Sequence, residues 1–199
     1  MWIEAIGALL SIVAVWLTAV RHGWCWPIGL ASVIVYAWVF VNARLYSDAL
    51  LQGFFGTMIA YGWINWSRHL GDDGRVRIAR LPRRQAALHL LLGAVGALLL
   101  GAVMHRWTNA ALPWLDSALT AFSVVGQWWE DRRHIAAWWM WIAVDVIYVG
   151  EYVYKQLLIT SVLYAVFVVL AVIGLRKWQR VRADAVAGPA PAIPARAQH

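Results

Sequence analysis

Five side chains between residues 138 and 152 carry the chemistry of this sequence: Trp138, Trp141, Asp145, Tyr148 and Tyr152. At about 100° per residue they share an arc of roughly 80° on one helix, so one wall is aromatic with a carboxylate in its middle. The run around them is apolar and long enough to cross a membrane. An ionisable group at mid-membrane costs at least about 2.5–3.5 kcal/mol on insertion scales, so it faces a bundle interior or a wet cavity. Aromatic faces around an anion suit a flat organic cation, which the rings stack on and the carboxylate pairs with. The alternative is a buried Asp bonded to a neighbouring helix, with the tryptophans as packing.

The elements that position this wall follow from composition. Of 199 residues 62% are hydrophobic and 14% charged, where a soluble domain carries about 25% charged residues; mean hydropathy is +0.62. These values define a polytopic membrane protein of one domain. The net charge of +7 does not indicate nucleic acid, because the basic residues lie in loops between apolar runs. The single Cys25 excludes an internal disulfide and fits no zinc or redox spacing. The run that starts at Trp2 has no basic residue before it and contains Glu4, which fits a retained first span and not a signal peptide.

Seven apolar runs of roughly span length are expected, at about 2–20, 24–42, 48–66, 86–104, 115–130, 135–153 and 157–176. Arg44, Arg106 and Lys155 fall on one side of such a topology and all the others of the 17 Lys and Arg on the other. The positive-inside rule then puts the N-terminus outside and the C-terminus in the cytoplasm. The loop at about 67–85 divides the chain, and the Ala/Pro-rich residues 183–199 read as a disordered cytoplasmic tail. Shifting the sequence by 112 residues aligns Trp26 with Trp138, Tyr36 with Tyr148, Gly62 with Gly174 and Trp66 with Trp178. The fold expected is therefore all-α and membrane-integral. Its single transmembrane domain, residues 1–182, holds two parallel three-helix repeats (about 2–66 and 115–178) joined by a linker helix (about 86–104), the arrangement of SWEET sugar transporters.

Other deep polar residues are candidates for the same cavity. Gln127, with Ser123 one turn before it, and Gln52 offer amides to a carboxamide or hydroxyl, or bond to a neighbouring helix. Trp26 is the repeat partner of Trp138. Asp116 reads as a helix-start acid favoured by the macrodipole, and Asn65 as a cap or headgroup contact. The six histidines make no metal-ligand spacing, and no nucleophile elbow or phosphate-binding glycine loop is present. No metal, cofactor or enzymatic activity is expected.

Several motifs resemble the PnuC family of nicotinamide riboside transporters. They are Trp2-Ile3-Glu4-Ala5; Leu45-Tyr46 through Leu51-Gln52; Tyr61-Gly62-Trp63 with Trp66; Asp116-Ser117 with Phe122-Ser123; and Trp138-x-x-Trp141-x-x-x-Asp145 followed by Gly174-x-x-x-Trp178. The resemblance runs over about residues 2–178. It implies seven helices in SWEET-like repeats, facilitated diffusion of nicotinamide riboside across the cell inner membrane, and uptake made one-way by a cytoplasmic kinase. It also implies a homo-trimer, and substrate contacts at Trp138, Trp141, Asp145 and Tyr148, with Gln127 and Gln52. Ala136-Ala137 departs from the Glu-Asn that relatives often carry there. Thiamine or riboflavin is the alternative cargo. Proton-coupled uptake through Asp145 is a second reading, weakened by the expectation that no second deep acid completes a relay. A membrane enzyme acting on a lipid or vitamin is a third.

Overall fold

The computed structural model of the chain describes residues 2–42, 46–108 and 112–187. Arg44, Leu45 and the last twelve residues of the expected tail lie outside the described residues. Seven helices account for nearly all of the described chain: α1 (Trp2–Ala19), α2 (Cys25–Asn42), α3 (Tyr46–Ser67), α4 (Arg83–Trp107), α5 (Pro113–Asp131), α6 (Ala136–Tyr154) and α7 (Leu158–Ala187). Each coincides with an apolar run of the sequence. The difference is at the end: α7 continues through residues 183–187, where the sequence predicts disordered tail. Ala183, Ala185 and Ala187 are good helix formers, and the first breaking pair, Gly188-Pro189, comes only after them.

Helices α4 and α7 are long and apolar enough to cross a membrane, with mean hydropathies of 2.2 and 2.7, yet only 17% and 28% of those windows is buried within the protein. An apolar helix packed in a soluble core would be mostly covered. Here Leu91, Leu98, Leu99, Ile159 and Val162 face outward, as hydrocarbon surroundings require. Towards the protein, α4 presents Gly93, Ala97 and Gly101. A side chain at Gly101 would overlap the Trp114 ring, so these small residues let α4 lie close along α5.

The other six helices close a ring. Neighbours in order are α1, α2, α3, α5, α6 and α7, and α7 returns to α1, while α4 stands outside against α5. The triplets α1–α3 and α5–α7 pair their helices in the same pattern. They also repeat a local contact: Trp26 meets Trp66 edge-on at 5.1 Å and 82°, and Trp138 meets Trp178 at 5.6 Å and 79°. Gly62 lies under the Trp26 ring and Gly174 under the Trp138 ring, each so close that a Cβ would overlap it.

At one end of the ring the segment 68–82 is tied to both triplets. Val76 is completely buried there. Arg21, after α1, donates to the Val76 carbonyl (2.8 Å) and pairs with Asp73 (3.5 Å). From the other triplet, the Ala79 amide donates to the Arg133 carbonyl, Arg133 donates to the Arg77 carbonyl, and the His134 ring contacts the Ala79 carbonyl. Gly74, at φ +67°, makes the turn in this strap, a conformation that suits glycine. We call this the strapped end and the opposite one the mouth.

Candidate functional site

The ring encloses a cavity of about 810 Å³, within the size range of small-molecule sites. Trp138, Trp141, Asp145, Tyr148 and Tyr152 all line it, in the order their helical spacing predicts. Gln127 and Ser123 face it from α5, Gln52 from α3 and Trp26 from α2. The candidate residues from four helices thus meet at one space.

Each has a distinct setting. Asp145 is 6% exposed, and among the described residues no basic side chain pairs with it. It is a buried acid facing a cavity without a counterion, unlike an Asp bonded into a neighbouring helix. Trp141 is partly open to the cavity and its indole N–H donates to Glu130 Oε2 (2.8 Å), which fixes the ring plane. Trp138 is 1% exposed and wedged between Gly174 and Trp178. It forms the floor with Trp26, Trp66 and Trp178. The Trp66 indole donates to the Glu130 carbonyl (3.1 Å) and that of Trp178 to the Thr18 carbonyl (3.3 Å), while the Trp26 and Trp138 N–H groups have no partner among the described residues. Above Asp145, Tyr148, Tyr152 and Tyr164 pack ring on ring at 4.8–5.7 Å, with Phe167 edge-on to Tyr164.

The polar residues correct three expectations. Gln127 donates to Asp131 Oδ1 (2.8 Å), four residues on in its own helix, so its amide is engaged within α5 and not across to another helix. Asn65 is neither a cap nor a headgroup contact: it donates to the Asp131 carbonyl (2.7 Å) and joins α3 to the end of α5. The absence of a second deep acid does not hold either. Glu130 lines the floor of the cavity, Asp131 is completely buried beside Gly62, and Glu151, 5% exposed, lines the wall toward the mouth. These acids are hidden in the sequence because Glu130-Asp131 directly precedes Arg132-Arg133 and reads as the wet end of a span. Asp116 does open α5, and it accepts from Lys155 (3.0 Å), which also pairs with Glu151. Burial opposes the charge of Lys155, but the two carboxylates prevail and hold its ammonium above the ordinary lysine value.

No group of three or more metal-ligating side chains gathers anywhere among the described residues. Cys25 is a free thiol buried at the floor.

The sequence profile of the nicotinamide mononucleotide transporter family matches residues 1–180. The chain is 25% identical over 202 residues to the nicotinamide riboside transporter PnuC of Escherichia coli, covering 89% of this chain and 84% of that one. It is 24% identical over 180 residues, with the same coverages, to the riboflavin/roseoflavin transporter RibM of Streptomyces davaonensis. A crystal structure of the vitamin B3 transporter PnuC superposes with a TM-score of 0.73 over 90% of this chain and 81% of that one, at 24% identity. A ringed, seven-helix membrane protein with a central cavity, matched over nearly its whole length, belongs to the nicotinamide mononucleotide transporter family, that of the PnuC transporters.

Proposed function

We propose that this chain carries nicotinamide riboside across the cytoplasmic membrane by facilitated diffusion, with a cytoplasmic kinase making uptake one-way. The observation that carries the reading is Asp145, an acid with no counterion among the described residues, on an aromatic wall facing a cavity of about 810 Å³. A pyridinium ring supplies the missing positive charge and a face for Trp141 and Tyr148. In this reading Trp138, Trp141, Asp145, Tyr148, Gln127, Gln52 and Trp26 contact the cargo. The phosphorylated form is disfavoured, because it brings negative charge towards an already acidic cavity. The two triplets act as parallel repeats about an axis along the membrane normal, in the SWEET manner. The matched Trp26–Trp66 and Trp138–Trp178 contacts support this. The strapped end is cytoplasmic, the N-terminus is outside, and the family resemblance extends the proposal to a homo-trimer.

Binding to the purified protein tests the cargo. Nicotinamide riboside binds to the wild type, and Asp145→Ala weakens it by about tenfold or more, the worth of a contact to a charged group. Trp141→Ala weakens it by severalfold. Binding of riboflavin or thiamine without nicotinamide riboside refutes the assignment. Riboflavin is the second reading, favoured by the likeness to the Streptomyces transporter; its uncharged ring leaves Asp145 without a partner. Proton coupling returns as a variant, because Glu130 supplies the second acid a relay needs. Uptake into vesicles with and without a pH gradient separates it from facilitated diffusion.

A further inference from the structure

The wall of the cavity nearest the mouth holds two buried polar atoms without a hydrogen-bond donor or acceptor opposite them among the described residues. Ser117, on α5, is 1% exposed and its hydroxyl makes no hydrogen bond among the described residues. Glu151, on α6, is 5% exposed; Lys155 pairs with its Oε1, and among the described residues no donor reaches its Oε2. Both residues line the cavity, as do Asp116 and Lys155 beside them. One ammonium serves two carboxylates here, so the group keeps acceptor oxygens beyond those that Lys155 engages. A buried acceptor or hydroxyl left unpaired is destabilising. Such a pair on a cavity wall is the complement of a ligand that brings O–H donors.

Helix geometry places this group relative to Asp145. Glu151 lies six residues beyond it on α6, about 9 Å along the axis toward the mouth. It sits about 60° outside the aromatic arc, on the side that meets α5 through Lys155 and Asp116. A flat cation against Asp145 with a polyol attached to its ring nitrogen would extend its hydroxyls in that direction. A carboxylate that accepts from ribose hydroxyls is a common solution to reading a nucleoside sugar.

We propose that Ser117 and Glu151, with Asp116 alongside, form a subsite for the vicinal hydroxyls of the cargo's ribose, distinct from the stacking wall at Asp145. The subsite rests on the nicotinamide riboside reading and makes it specific: the wall selects the cation, and the mouth group selects the sugar. It also gives the cavity an orientation, with the sugar toward the mouth and the pyridinium ring toward the tryptophan floor.

The test measures binding of three ligands, nicotinamide riboside, its 2′-deoxy analogue and 1-methylnicotinamide, to the purified full-length protein. The wild type binds the riboside more tightly than the deoxy analogue, by about tenfold for one hydroxyl bonded to a charged group. Glu151→Gln and Ser117→Ala each reduce that preference and leave 1-methylnicotinamide binding unchanged. Ser117→Ala removes an atom with no protein partner, so it keeps the fold even if Glu151→Gln disturbs the Lys155 pair. Equal wild-type affinity for the riboside and its deoxy analogue overturns the subsite. So does an equal loss of all three ligands in both variants, which would make the group a general attractor of cations. If the wild type binds none of the three, the nicotinamide riboside reading fails and the subsite with it, an outcome distinct from either of the others.

Discussion

The two ends of the cavity are built on opposite principles. At the strapped end Trp26, Trp66, Trp138 and Trp178 are each at most 3% exposed, locked ring against ring and covered by the 68–82 segment. At the mouth the lining is tyrosine, serine and an acid–lysine group, and the side chains of Asp116 and Lys155 are 29% and 26% exposed. One end is a dry, shape-locked seal and the other a wetted polar passage. A carrier must exchange which end is shut. The difference shows that this conformation is closed by packing at the floor, and that the closing contacts are the same pair of Trp–Gly locks, one per triplet. To open the floor, both locks and the strap across them have to give way.

The locks are where the largest effect is expected. A Cβ at Gly62 overlaps the Trp26 ring and crowds Asp131 Oδ1, and one at Gly174 overlaps the Trp138 ring. Both rings are buried and packed against a second tryptophan, so moving them aside disturbs the floor. Gly62→Ala and Gly174→Ala should each cost about 1–3 kcal/mol of stability, the usual penalty of overpacking, and should do so alike if the triplets are equivalent. At Gly150 an added methyl group would meet nothing within 4 Å. Gly150→Ala should be neutral or slightly stabilising, by up to about 1 kcal/mol from helix propensity. Thermal unfolding in detergent compares the three. Strongly unequal effects of the two lock variants would break the equivalence of the triplets.

The two ends are also unequally legible in the sequence. The spans and the α6 stripe follow from hydropathy and helical period, because lipid outside and cavity inside impose a strong, local pattern on each helix. Trp138, Trp141, Asp145 and Tyr148 can therefore be placed on one wall without knowing their neighbours. The floor and mouth depend on contacts distant in the chain. Asp131 is buried by Gly62 and Asn65, nearly seventy positions earlier, and no local signal in Trp128-Trp129-Glu130-Asp131 distinguishes that from a wet helix end. Glu151 lies about 60° outside the aromatic arc and is given meaning only by Asp116 and Ser117 on α5. The helical residues 183–187 are a different case, since their alanines carry the signal and the Pro-rich sequence after them obscures it.

The strap offers an intermediate effect that sharpens the comparison. Arg21 joins the first triplet to the strap through the Val76 carbonyl and Asp73. Arg21→Ala should remove about 1 kcal/mol from the closed floor, the net worth of a hydrogen bond, and raise the population open at that end severalfold. Cys25, the chain's one cysteine, is buried at the floor and reports this directly. Its labelling by a membrane-permeant maleimide should quicken severalfold in Arg21→Ala and stay unchanged in Lys155→Met, which alters only the mouth. Unchanged labelling in Arg21→Ala would mean that the tryptophans seal the floor without the strap.

The smallest effect expected is the pH response of the strap. His134 is buried between α5 and α6, with its ring nitrogen 3.2 Å from the Ala79 carbonyl, so that nitrogen carries the proton and donates. Burial holds its pKa below the ordinary imidazole value. The Ala79 carbonyl opposes this, and Arg133 and Arg132 add to it. The folded state therefore takes up a proton less readily than the unfolded chain. Stability from this group is complete above about pH 6.5, the ordinary value, and is lost as pH falls below that toward the folded pKa. A glutamine can still donate to Ala79 but cannot titrate. His134→Gln should thus show a smaller drop in unfolding temperature between pH 7.5 and pH 5.5 than the wild type. In the wild type, Cys25 labelling, taken relative to that of a free thiol at the same pH because only the thiolate reacts, should rise over the same fall in pH, because a loosened strap uncovers the floor and leaves the mouth as it was. A pH response that His134→Gln leaves intact would shift the cause to the acids lining the cavity, at the other side of the comparison.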